Sequence, residues 1–170
     1  MKPIIYDQWL TTFCQTYSVF AALWILTGKY VSQKNVERFI KEQNLKGGNA
    51  QQKWGLSSKE VCKILGLKVK QVFWMDNEFM KLWKEWRPLI IGMRVNSSFY
   101  QDSKDWLLEF YNHLRGKNED GHDVVIYFNT KEKQGYLINS GWILTPPCKI
   151  DIEKFDKNWL KLPTAFTISL

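Results

Sequence analysis

The sequence predicts an α+β fold, and three features carry that reading. The first half of the chain is patterned as helices, the second half as short apolar strands separated by turns, and there is enough apolar material for a buried core. Hydrophobic residues make up 45% of the 170, and aromatic residues 15%, including nine Trp. That content excludes a disordered chain. The length suits a single domain across residues 1–170. The expected architecture is a helical N-terminal lobe of about residues 1–85, packed without a free linker on an antiparallel β-sheet lobe of about residues 86–170.

Residues 14–27, CQTYSVFAALWILT, are apolar on nearly every face, as in a buried central helix. Thr11 or Thr12 is placed to cap its start and Gly28 to end it. Cys14 therefore falls at the helix N-terminus. Ser32 opens a second helix with Val36, Phe39 and Ile40 as its apolar stripe. Leu45–Gly55, LKGGNAQQKWG, reads as a loop. Ser57-x-x-Glu60 is a capping box that starts a short helix, with Val61, Cys62, Ile64 and Leu65 expected inward and Gly66 as the stop.

A strand over Leu67–Trp74 follows. Asp76 or Asn77 then caps an amphipathic helix carrying Phe79, Leu82, Trp83 and Trp86. Pro88–Asn96 reads as a buried strand, Ser103–Arg115 as a helical insertion, and Asp123–Phe128 as a strand. A turn over Thr130–Gly135 joins this to a strand at Tyr136–Asn139 in a hairpin. Trp142–Leu144 is the next pairing segment, and Thr164–Leu170 closes the sheet.

The formal net charge is +7, but the basic residues are scattered rather than blocked, so a solvated surface is preferred to a nucleic-acid footprint. No signal-peptide pattern opens the chain, and Val19–Leu26 is too short to span a bilayer, so a cytoplasmic location without membrane contact is expected. Three Cys and two His, with no C-x-x-C or H-E-x-x-H pairing, argue against a disulfide framework and a metal site.

The same residues raise a different chemistry. A thiol attacks as its thiolate, which the positive end of a helix and a nearby imidazole both favour. Cys14 has the helix position. The competing reading is a buried structural cysteine. His122 follows Asp120-Gly121 and starts a strand, where a side chain can face a cleft, whereas His113 sits in an amphipathic helix. Asn139 ends the hairpin strand, which pairing can bring beside His122; alone it reads as a turn residue. Gln8 lies six residues before Cys14, and its amide with the Cys14 N–H would make a two-donor oxyanion hole.

In their order, these segments resemble the papain family of cysteine peptidases. Gln8–Ser18, QWLTTFCQTYS, is similar to the family's nucleophile segment, with Gln, five residues, Cys, and then an aromatic-Ser pair at Tyr17-Ser18. Arg87–Val95 resembles the Pro-led strand of the second lobe. Gly121–Val125 resembles the strand that carries the family's His, and Tyr136–Trp142, YLINSGW, the strand ending in Asn-Ser-Trp. The chain departs from the pattern at Thr12-Phe13, where the family has Cys-Gly, at Gln15, where it has Trp, and at Gly141, which separates Ser140 from Trp142. Gly55–Val72 and the Gln–Cys start also resemble the bacteriocin-processing double-glycine peptidases, which use Asp where this chain has Asn139.

The resemblance implies a papain-like fold and a cysteine peptidase. In that reading Cys14 is the nucleophile, His122 its base, Asn139 the orienting group and Gln8 an oxyanion donor. Gly47 and Gly48 resemble the family's substrate loop, and Trp142 joins them as a substrate-binding residue. A peptide or protein substrate is expected, with no metal and no organic cofactor. An isopeptidase, amidase or acyltransferase shares the acyl-enzyme step and remains an alternative, as does an inactive binding module on the same fold.

Overall fold

The computed structural model describes residues 13–47, 56–94, 121–138, 147–155, 157 and 160–170. Within them, N-terminal helices pack against a six-stranded antiparallel sheet. The elements are α1 (Cys14–Thr27), α2 (Gln33–Lys46), α3 (Ser58–Ile64), β1 (Lys68–Phe73), α4 (Asn77–Lys84), β2 (Leu89–Arg94), β3 (Gly121–Asn129), β4 (Gln134–Ile138), β5 (Cys148–Ile150) and β6 (Leu160–Ser169). The strand order is β1-β6-β2-β3-β4-β5. The sheet thus draws its first edge strand, β1, from the helical half of the chain.

Local chemistry accounts for the helix ends. Ser32 Oγ accepts the Asn35 N–H, and Asp76 Oδ1 accepts the Phe79 N–H at 2.6 Å. Ser57 and Glu60 form the reciprocal capping box: Ser57 Oγ accepts the Glu60 N–H, and the Glu60 carboxylate accepts the Ser57 N–H at 2.7 Å. Gly28 ends α1 at φ 69°, a left-handed conformation that suits a residue without Cβ, and its N–H donates to the Trp24 carbonyl at 2.7 Å. The residue before α1 is Phe13; Thr11 and Thr12, the expected caps, lie outside the described residues.

The core has two layers, one on each face of the sheet. Alternation along β3 sends Val125 and Tyr127 to one face and Val124 and Ile126 to the other. The first layer joins α1, α2 and α3 to the sheet through Val19, Phe20, Val36, Val61, Ile90 and Ile138. The second joins α4 to the opposite face through Phe79, Trp83, Leu89, Ile91 and Leu137, with Ile152 and Phe155 from the segment after β5. Trp74 and Trp83 extend this layer through ring contacts with Phe79, Phe155 and Phe128. Burying both faces explains why β2 and β3 read as continuous apolar runs rather than alternating ones.

Some sequence expectations shift in detail. Ile64, expected inward, is exposed, as is Trp86, which follows α4 with φ 62°. The last strand starts at Leu160 rather than Thr164. Its pairing with β2 shifts register between Ile91 and Met93, and Pro163 lies in the shifted stretch, where its carbonyl accepts the Trp74 N–H at 2.9 Å. The helical insertion expected at Ser103–Arg115 and the segment Trp142–Leu144 lie outside the described residues.

Gly135 of β4 sits against the Trp83 ring of α4 and the β5 backbone. A Cβ there would stand 2.7 Å from the Ile150 carbonyl oxygen and 2.8 Å from the Trp83 ring. Neither the β5 backbone nor a buried indole yields freely. Gly135→Ala is therefore expected to destabilise the fold by about 1–3 kcal/mol, read as a lower urea midpoint at unchanged slope. An unchanged midpoint would mean that α4 and β4 are not in this contact.

Candidate active site

Cys14 is the first residue of α1 and is only 8% exposed. Phe13 precedes it and has no side-chain oxygen to turn onto the first-turn N–H groups; its carbonyl accepts the Tyr17 N–H at 3.1 Å. The first turn contains no acidic residue. The positive helix end therefore meets no carboxylate of its own turn, which is the setting that favours a thiolate.

Two hydroxyls fix this helix end against the sheet. One turn beyond Cys14, Ser18 Oγ donates to the Asp123 carbonyl oxygen at 2.8 Å. The Ser58 hydroxyl lies 3.1 Å from Asp123 Oδ2 and 3.4 Å from the Gln15 carbonyl oxygen. The Ser58 N–H donates to Gln15 Oε1 at 3.0 Å. The first turn of α1, the N-terminus of α3 and the start of β3 thus converge on Asp123. Gln15, which stands where the resembling family has Trp, serves here as a bridge between α1 and α3.

His122 immediately precedes Asp123. Its backbone lies in β3, paired with Met93 of β2, and Gly121 pairs with Arg94. The structure therefore brings the backbone of His122 and the helix end carrying Cys14 to the same end of the sheet. Ile138, which precedes Asn139, pairs with Val125 across the hairpin. Gln8, Gly48, Asn139 and Trp142 lie outside the described residues. Gly47 is the C-cap of α2, with extended backbone and its N–H donating to the Asn44 carbonyl at 3.2 Å. Met93, the β2 partner of His122, is fully buried in the second core layer.

The other two thiols differ from Cys14 in setting. Cys62 is fully buried in the first core layer, and burial pushes its pKa up to about 11. Cys148 is exposed on the edge strand β5. Among the described residues, no group of His, Cys, Asp or Glu could hold a metal ion, and no helix is long and apolar enough to cross a membrane.

At the candidate site, Asp123 is the residue that the sequence pattern does not single out. The available signal was its row: a carboxylate two residues before Val125 and four before Tyr127 shares their core-facing side of the strand. Burial raises its pKa to about 6, opposed by the Ser58 hydrogen bond and the positive charge of Lys161. With this geometry in hand, comparison with known proteins adds no relative: the chain matches no protein-family model and no curated protein.

The Asp123 carboxyl gives the fold a pH signature. Its folded pKa lies above the unfolded value, so the stability it confers is fully present below about pH 4 and is lost as pH rises through about 6. Across that window the loss is of order 1–3 kcal/mol. In Asp123→Asn this step should vanish, leaving the variant more stable relative to wild type at pH 8 than at pH 4.5. Urea midpoints of both proteins across that range measure it, and parallel profiles would contradict the assignment.

Proposed function

We propose that the chain is a papain-like cysteine peptidase that hydrolyses peptide bonds through a thioester acyl-enzyme. The observation that carries this reading is the placement of Cys14: it opens the buried helix α1, and Ser18, one turn on, is hydrogen-bonded to β3 at Asp123, beside His122. A thiol at a helix start has one of the two features that activate a cysteine, and an imidazole from the second residue of the neighbouring strand would supply the other.

In the proposed reaction, Cys14 and His122 form a thiolate–imidazolium pair. The thiolate attacks the carbonyl carbon of the scissile bond, and the oxyanion is held by the Cys14 N–H and the Gln8 amide. His122 gives its proton to the leaving amine, and the carbon–nitrogen bond breaks. Water, deprotonated by His122, then attacks the thioester and releases the acid and the thiol. Asn139 orients the imidazole, as the third member of such a triad does. Gly47, Gly48 and Trp142 are proposed to contact the peptide. No cofactor takes part. An amidase, isopeptidase or acyltransferase would use the same acyl-enzyme and differ in the leaving or accepting group.

Iodoacetamide alkylation at about pH 6 tests the pair, since an ordinary thiol with a pKa near 8.5 is then almost wholly protonated. Each cysteine is read by mass spectrometry. Cys148 is the exposed control, but burial of its thiol raises its pKa, so the deciding comparison is Cys14 with and without His122. The expected result is that Cys14 reacts about tenfold faster than Cys148 or more, and that His122→Ala removes the advantage. Equal or slower labelling of Cys14, or indifference to His122→Ala, would sink the peptidase reading.

A further inference from the structure

The helical side of the molecule holds a pocket that the proposed chemistry does not use. It lies between α1 and α2 and has a volume of about 460 Å³, within the range of roughly 300–1,000 Å³ typical of small-ligand sites. Among the described residues its walls are apolar: Phe13 and Tyr17 from α1 and the residue before it, and Ile40 and Leu45 from α2. Leu45 is 74% exposed at the rim.

The polar groups on the rim are not equivalent. At the N-terminal end of α2, the Gln33 amide donates to Glu37 Oε1 at 2.8 Å and lies 3.4 Å from the Tyr17 hydroxyl, so this end of the rim carries a hydrogen-bonded carboxylate that keeps its negative charge. One turn on, the Lys41 ammonium makes no ion pair or hydrogen bond with any described residue. Asn44 stands beside it on the rim, and Lys46 adds a second positive charge in the last turn. The carbonyl end of a helix is negative and opposes an anion there, so the attraction rests on the Lys41 ammonium at the rim, with Lys46 beyond the lining. The pocket thus has an apolar floor, one acidic end and one basic end.

We propose that this pocket binds an amphiphile with an apolar tail and an anionic head, a fatty carboxylate, with the tail against Phe13, Tyr17, Ile40 and Leu45 and the carboxylate at Lys41 and Asn44. Two complementarities support that occupant. The walls take an alkyl chain without leaving polar atoms unpaired, and the one uncommitted charge on the rim is positive. The site does not require Cys14 to be a nucleophile, so it stands or falls apart from the peptidase reading.

Calorimetric titration of the full chain with decanoate below its micelle range, with decanol as the neutral match, tests the proposal. Methyl NMR of Ile40 and Leu45 locates the site. Saturable 1:1 binding of decanoate is expected, with shifts at both methyl groups. Lys41→Gln should weaken decanoate about fivefold, as loss of one exposed charge contact does, and leave decanol unchanged. Leu45→Glu, a surface change that spares the fold, should weaken both ligands. Absence of saturable binding overturns the proposal. So do methyl shifts confined to other residues, or a decanoate affinity indifferent to Lys41→Gln.

Discussion

Helix α1 has no face that tolerates water, and the rest of the structure is arranged to meet that demand. Most of its residues are buried, from Tyr17 through Ala22, and no stripe of polar positions runs along it. The sheet covers one side, and α2 and α3 cover the flanks. A helix enclosed in this way can reach solvent only at its ends. Its C-terminus is closed by Gly28, so the N-terminus with Cys14 is the end placed against the start of β3.

Enclosure alone would leave the helix free to slide along an apolar groove, because the hydrophobic effect is not directional. The polar contacts at its first turn remove that freedom. Ser18 and Ser58 both reach Asp123, one through the strand backbone and one through the carboxyl group. Burial makes this carboxyl costly to ionise, which raises its pKa, yet the same burial makes the hydrogen bonds to it specific. The arrangement spends stability at neutral pH to fix one register between α1, α3 and β3. If Cys14 and His122 act together, that register is what sets their separation.

Much of this was legible in the sequence, and the remainder was hidden for physical reasons. Helix starts were readable because caps are local: Ser32, Ser57 with Glu60, and Asp76 each satisfy an N–H three residues away. The all-apolar character of α1 announced its burial, and the apolar runs of β2 and β3 their place in mid-sheet. The start of β6 was hidden because Pro163 breaks the pattern that a regular strand would show, and β5, three residues long, is too short for periodicity to mark. Ile64 was assigned inward from the stripe of a helix of two turns, too short to define a face. At the candidate site, the helix-end position of Cys14 and the strand-start position of His122 were visible. The role of Asp123 was not, because its partners Ser18 and Ser58 lie 105 and 65 residues away in the chain.

The central claim is that Cys14 and His122 are electrostatically coupled at the end of α1. The most direct measurement is the NMR titration of the His122 imidazole in wild type and in Cys14→Ala. A thiolate beside the ring stabilises the imidazolium, so the two groups titrate as a pair. The His122 pKa is expected to fall by about one unit or more when the thiol is removed, with the His113 signal as the internal control. A His122 titration that is the same in both proteins would contradict the pairing, and α1 would then be a structural helix whose first residue happens to be cysteine.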